Sequence, residues 1–442
     1  MQKRRKIKKA IALLLLIGMG FLLTGCTNGD DTTPNNNTSV VPSDQPITLI
    51  WWNLFETQEN IQPLIDAYQT LHPNVTIEYA QKDLVDYQSS LDEVLTDNIP
   101  ESTPDIFTIH NTWMGRYAGY TLPAPPEVLD SAMFQQNFYP VVGTDLMVNG
   151  LPQAIPLGMD SIAIIYNEKL FSDKGYSAPS YDWSELLEQA KNLTVKSGND
   201  ISISGLALAA EDNVESWFDV FNLLLMQSDI AMVNENQTSA IFAEDQATAE
   251  TVTYFQSYQK EGVWNEGLKQ DIALFLEGKL AMFIAPSWRL LDIVAYNEEY
   301  NLGLDFGIAP MPQLSTLEGE SRGWANYWAQ TVALDSKNYK VAWDFLNFAT
   351  QPDQLRLLFS KASESRAFGQ LYPRPDMKGE VENNPYLLVY ADEVSHARSW
   401  WMVDGNQVQT SFQELLGSNK TLTTIQSNIT SILVSTGRLT RN

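Results

Sequence analysis

The stretch Ile47-Thr-Leu-Ile-Trp-Trp-Asn-Leu-Phe-Glu56 reads as a short apolar strand that runs into two adjacent tryptophans, an asparagine and a glutamate. Successive side chains of a strand point to opposite faces, so one core cannot readily take both indoles. Downstream the pattern alternates. Ile61, Leu64, Ile65 and Tyr68 share one helix face, Val75, Ile77 and Tyr79 alternate as a second strand, a helix follows over Val85 to Asn98, and Asp105 to Ile109 forms a third strand. This order implies parallel pairing in an open, doubly wound α/β sheet, whose ligands bind beyond the carboxyl ends of the strands. Trp51, Trp52 and Asn53 stand at one such end and His110, Asn111 and Trp113 at another. At least one indole of the Trp51-Trp52 pair is therefore expected to face a cleft.

The chain leaves this unit through Leu151-Pro-Gln-Ala-Ile-Pro-Leu-Gly-Met-Asp160 and enters a strand at Ser161-Ile-Ala-Ile-Ile-Tyr-Asn167. Asp182 is placed to cap a helix whose buried stripe is Trp183, Leu186, Leu187, Ala190 and Leu193, with Glu185 reaching back to the cap. Gly278 stops another helix before a strand that ends at Ile284 and delivers Ala285-Pro-Ser-Trp-Arg289. Phe306 to Pro312 reads as a second extended connector, Ser336 to Thr350 as a helix, and Arg366 to Pro373 as a third irregular crossing. No repeat of fixed period is present.

Composition bounds the function. At 442 residues the chain can build two or three domains. Six of its 28 basic residues lie within the first nine positions, and removing them leaves 22 against 54 acidic ones. That balance argues against a nucleic-acid partner, whose phosphates require a basic face. Cys26 is the only cysteine, which rules out an internal disulfide and thiol-rich metal sites. Only His72, His110 and His396 exist, with no His-Glu-x-x-His, Gly-x-Ser-x-Gly or phosphate-loop motif. No cofactor and no metal are expected.

Lys3 to Lys9 precede an apolar run from Ala10 to Leu23 and then Leu23-Thr-Gly-Cys26, the layout of a secretion signal. As a helix the run would span roughly 21 Å, short of a hydrocarbon core of roughly 30 Å. Its end resembles the lipobox of bacterial lipoproteins, which implies a signal peptide over 1–25, lipidation of Cys26 and an anchor to the cell membrane. Residues 26–46, rich in Thr, Asn, Asp, Ser and Pro, read as a flexible tether.

The motifs Leu71-His-Pro-Asn-Val-Thr-Ile-Glu78, Thr103-Pro-Asp-Ile-Phe107, Ile155 to Phe171, Gly278-Lys-Leu-Ala-Met-Phe-Ile284 with Trp288, Ser336-Lys-Asn338 and Ala342-Trp-Asp-Phe-Leu346 occur in that order. Together they resemble the family 1 extracellular solute-binding proteins, the sugar-type receptors of ABC importers. The resemblance implies a two-lobe, periplasmic-binding-protein-like α/β fold of type II with three hinge crossings. By analogy lobe one is 47–157 plus 310–361, and lobe two is 158–305 plus 366–442. It also implies an ABC permease as partner and a monomer that closes on its ligand. Asp160 falls where relatives place a ligand-binding carboxylate, and Trp288 where they place a stacking aromatic. The sequence departs from the family at Pro179 to Trp183, where a Thr usually precedes the Trp, and at Ala285 to Ser287, where a Gly is common.

A neutral sugar offers apolar C–H faces and a rim of hydroxyls, which indoles and polar side chains respectively satisfy. The residues expected at the ligand are Trp51, Trp52, Asn53, His110, Asn111, Trp113, Asp160, Trp288, Arg289, Trp324, Asn326, Trp400 and Trp401. Trp217, Trp264, Trp328 and Trp343 are expected in the core, and Asp160 has an alternative use in bonding backbone at the hinge. A neutral oligosaccharide leads the ligand classes, with a polyamine second. A secreted glycoside hydrolase or a passive surface protein is a weaker reading.

Overall fold

The computed structural model describes residues 41–42, 45–96, 103–198, 200–315, 320–417 and 420–436. The signal segment 1–25, Cys26 and the stretch through residue 40 lie outside them. The end of the expected tether is already docked on the body. Val41 is buried, and the Asn74 amide donates to the carbonyls of Pro42 (2.6 Å) and Gln45 (2.9 Å). Among the described residues no helix is long and apolar enough to cross a membrane.

The larger sheet orders its strands Val75–Lys82, Ile47–Leu54, Ile106–His110 and Trp328–Ala333, with the short strands Thr121–Leu122 and Ala154–Pro156 both on the last of these. The first three are parallel, as the alternation implies. Trp328–Ala333 arrives from far along the chain and runs antiparallel, with Trp328 opposite His110.

Trp51 and Trp52 do point to opposite faces, and the sheet has a core on each. On one side Trp51 is fully buried, with ring centroids 5.1 Å from Tyr79 and 5.4 Å from Phe345 of the helix Tyr339–Ala349. On the other, Phe107, the Cα partner of Trp52, packs against Tyr117, and the Lys82 ammonium lies 3.6 Å from the Trp52 ring centre. The expectation that one indole must leave the core is thus corrected, because a doubly wound sheet buries both faces.

The second sheet orders Met282–Pro286, Ile162–Asn167 and Phe306–Ala309, all antiparallel. Gly278 (φ +68°) ends the helix Asp271–Leu276 and turns the chain toward this sheet, a conformation that an L side chain would strain. Phe306–Ala309, expected as a connector, is an edge strand here. The chain rejoins the larger sheet only at Trp328. Asp182 caps the helix Trp183–Leu193 as expected, accepting from the N–H of Ser184 at 2.8 Å and of Glu185 at 3.2 Å. Glu185, however, accepts the Ser180 hydroxyl at 2.8 Å, and the Asp182 N–H goes to the same Ser180 oxygen instead of to Glu185.

Three connections pass between the sheets, and backbone hydrogen bonds lay them side by side. Met159 N–H donates to the Leu371 carbonyl at 3.0 Å, and Asn326 N–H to the Asp160 carbonyl at 3.1 Å. A cleft opens beside them.

Candidate functional site

The cleft has a volume of about 880 Å³ and takes its lining from both sheets and all three connections. On the larger sheet the strand Ile47–Leu54 ends in a three-residue turn closed by Glu56 N–H to the Leu54 carbonyl at 2.7 Å, with Phe55 at φ +65°. This γ-turn conformation is costly for a residue with a Cβ, and it leaves the Phe55 ring 50% exposed in the cleft. Phe55 meets Trp328 edge-on at 5.4 Å, and Trp328 in turn meets His110 at 5.0 Å and Trp113 at 5.1 Å. The register explains the group, since Trp328 pairs with His110 across the ladder.

The second sheet contributes Trp288, 45% exposed, just past the end of Met282–Pro286. The Arg289 guanidinium lies 4.3 Å from its ring centre, held in turn by Glu215 and, at 2.5 Å, by Asp292. Each sheet therefore brings an exposed aromatic ring to the same cavity.

Polar groups lie between the rings. Gln330 Oε1 accepts from Trp51 Nε1–H at 2.7 Å and from the Thr108 hydroxyl at 3.0 Å, while its amide donates to Asn53 Oδ1 at 3.2 Å. The buried Trp51 thus orients a cleft residue that it does not accompany. A second run of hydrogen bonds joins the larger sheet, through a connection, to the helix Trp217–Gln227. His110 Nδ1 sits 3.4 Å from the Thr112 N–H, which leaves Nε2–H to donate to Asn326 Oδ1 at 3.2 Å; Asn326 donates to Asp219 at 3.2 Å. Burial lowers the His110 pKa to about 4, so the ring is neutral, and raises that of Asp219 to about 6 against the pull of the Trp324 and Asn326 donors.

Asp160 rests in the first connection. Its Oδ1 accepts from Ser161 N–H at 2.9 Å and Ser287 N–H at 3.1 Å, and its Oδ2 from the Ser287 hydroxyl at 2.8 Å. Burial pushes its pKa up to about 7 despite these donors. Glu56 accepts from Asn60 at 2.9 Å, from Arg366 at 2.8 Å and from Gln370, which ties the first strand end to the third connection.

Of the expected site residues, Asn53, His110, Trp113, Asp160, Trp288, Trp324 and Asn326 line the cleft. Trp51, Trp52, Asn111, Arg289, Trp400 and Trp401 do not. Trp51 and Trp52 fill the two cores. Asn111 is buried with its amide on Asp145 at 3.0 Å, Trp400 is buried with its indole N–H on Asn222 at 2.8 Å, and Trp401 packs over Gly115. Arg289 supports Trp288 from behind. Conversely Trp328, expected in the core, lines the cleft, as do Phe55, Glu56, Asp219 and Gln330. Phe55 and Glu56 directly follow the strand end that pointed to the site, a signal available in the sequence. Trp328 gave none, because its facing depends on the antiparallel insertion of a distant strand.

Comparison with known proteins gives the same architecture. The Maltotriose-binding protein of Pyrococcus abyssi is 22% identical over 365 residues, which is 79% of this chain and 72% of that protein. The cyclic alpha-maltosyl-1,6-maltose binding protein of Arthrobacter globiformis superimposes with a TM-score of 0.70 at 17% identity, over 88% of this chain and 98% of that one. The sugar-binding protein MalE of Xanthomonas citri gives a TM-score of 0.70 at 16% identity, over 87% and 97%. These likenesses establish the two-lobe α/β fold of type II. The family described as bacterial extracellular solute-binding protein matches residues 55–355, and the chain belongs to it.

Proposed function

We propose that this protein captures a neutral oligosaccharide between two closing lobes and delivers it to an ABC permease. The observation that carries this reading is the pairing of rings and polar groups in one cavity: Phe55 and Trp328 from one sheet and Trp288 from the other, with Asn53, Gln330, Asn326 and Asp219 among them. Rings of this kind cover the C–H faces of a sugar, and the amides and carboxylates bond its hydroxyls. The cleft volume of about 880 Å³ suits an oligosaccharide rather than a single small ion. The relatives named above are sugar-binding proteins by name, which supports the same class.

The lobes we propose are 47–157 with 328–361 and 158–327 with 366–442. The pairing of Gly323–Trp324 with Ala397–Arg398, and the return of the chain to the larger sheet at Trp328, favour this second boundary over one at residue 310. The protein acts as a monomer, and Cys26 carries the lipid that holds it to the membrane. A Cys26→Ser variant should then appear in the medium rather than in the membrane fraction.

A cationic solute such as a polyamine is the second reading, favoured by the cleft carboxylates Glu56, Asp160, Glu215, Asp219 and Asp292. Against it, Arg366 neutralises Glu56, and Arg289 bridges Glu215 and Asp292. Calorimetric and tryptophan-fluorescence titration with neutral oligosaccharides and with spermidine separates the two. Micromolar or tighter sugar binding without product release supports the first. Binding of spermidine alone would transfer the assignment to the second, and silence on all of them would remove both.

A further inference from the structure

The helix Arg289–Glu299 begins at the cleft and continues away from it. Trp288 at its N-cap lines the cavity together with Leu291 and Asp292. Steps of four residues lead from Trp288 to Asp292, Tyr296 and Tyr300. Each step advances about 6 Å along the axis and turns about 40° around it, so the four side chains form one gently winding ridge. Tyr296 is 46% exposed and Tyr300 59%, with their rings stacked at 5.6 Å and 18°. Leu302, also exposed, follows directly. Neighbouring exposed apolar side chains are a recurrent feature of binding surfaces.

The outer end of the ridge is built to stay in place. Asn301 takes φ +48°, Leu302 N–H donates to the Asn297 carbonyl at 3.1 Å and Asn301 N–H to that of Glu298 at 3.3 Å, the paired bonds of a Schellman cap. The Asn297 side chain then clamps Leu304, donating to its carbonyl at 2.9 Å and accepting its N–H at 3.0 Å. Rings already ordered in this way lose little entropy when they are covered.

We infer that the Tyr296–Tyr300 face is a second carbohydrate platform, which takes the overhanging end of a linear neutral oligosaccharide too long for the cleft. The inference rests on the sugar reading proposed above. Three features select a sugar as occupant. The ridge is continuous with the cleft through Trp288 and Asp292 on one helix. Tyrosine offers an apolar ring face and a polar end, which match a sugar's C–H face and hydroxyl rim. The exposed carboxylates of Glu298 and Glu299 offer hydrogen-bond acceptors to sugar hydroxyls and repel an anionic membrane surface. The platform sets a length preference: about 18 Å separates Tyr300 from Trp288 along the axis, so short ligands do not reach it.

The test is calorimetry with α-1,4-linked glucose oligomers and β-1,4-linked mannose oligomers of two to seven units, on the wild type, Tyr296→Ala/Tyr300→Ala and Tyr296→Phe/Tyr300→Phe. In a series that binds, the wild type should hold the longest members about three- to tenfold more tightly than those that just fill the cleft. The alanine pair should lose that gain and keep the short-ligand affinity, which also reports that it is folded, and the phenylalanine pair, which keeps the ring faces and loses the hydroxyls, should retain most of it. Equal affinity for long and short members, or a gain that survives in the alanine pair, overturns the platform and leaves the cleft reading standing. No binding at any length in either series overturns both.

Discussion

The ring of Phe55 meets the ring of Trp328 edge-on, with centroids 5.4 Å apart and planes at 64°. One residue directly follows the first strand of the larger sheet, in the turn closed by Glu56, and the other begins the antiparallel strand inserted into that sheet, so the turn and the sheet topology together create the contact. Trp328→Ala should weaken sugar binding by about 1–3 kcal/mol, because a buried ring contact is lost on a preformed wall. Titration calorimetry checks it, and an unchanged affinity would remove this wall from the site.

Phe55 separates function from stability. Its left-handed φ costs of order 1 kcal/mol that glycine does not incur. Phe55→Gly should therefore keep or slightly raise the urea midpoint while lowering ligand affinity about tenfold. A fall in both would mean that the ring serves the core.

Trp51 should behave in the opposite way. It is fully buried between Tyr79 and Phe345, and truncation to Ala should cost about 3–5 kcal/mol in unfolding free energy. Because Trp51 also donates to Gln330, a smaller secondary loss of affinity is expected. Equilibrium urea unfolding at constant m-value measures the first effect, and a loss below about 1 kcal/mol would contradict the packing described.

Glu393 gives stability a pH dependence of defined sign. Burial raises its folded pKa to about 8, while Met311 N–H bonds its Oε1 at 2.8 Å; an unfolded glutamate titrates near roughly 4.3. The folded state therefore binds more protons, and this contribution is complete below about pH 4 and is lost as pH rises through about 8. Between pH 5 and pH 8 the wild type should lose more stability than Glu393→Gln, which keeps the acceptor and cannot ionise. Parallel pH profiles of the two denaturation midpoints would refute the assignment.

Much of the fold was legible because it is written in short-range pattern. The parallel order of Ile47–Leu54, Val75–Lys82 and Ile106–His110 follows from alternating periodicities, and the Asp182 cap and the Gly278 stop follow from local chemistry. Strand ends identified the right region of the site, and Asn53 and His110 lie on the cleft. Periodicity does not encode which distant strand enters the sheet. Trp328 therefore read as core, and Phe306–Ala309, paired only through Ile162–Asn167, read as a connector. Trp51 misled for a related reason: alternation states that neighbouring side chains diverge, but not that both faces are covered.

The most direct test of the account is a crystal structure of the protein with the tightest-binding oligosaccharide of the panel. Sugar rings are expected in the cleft, one face covered by Trp288 and another by Trp328 or Phe55, with hydroxyls bonded to side chains such as Gln330 and Asn326. A sugar seated elsewhere, with those three rings left uncovered, would contradict it.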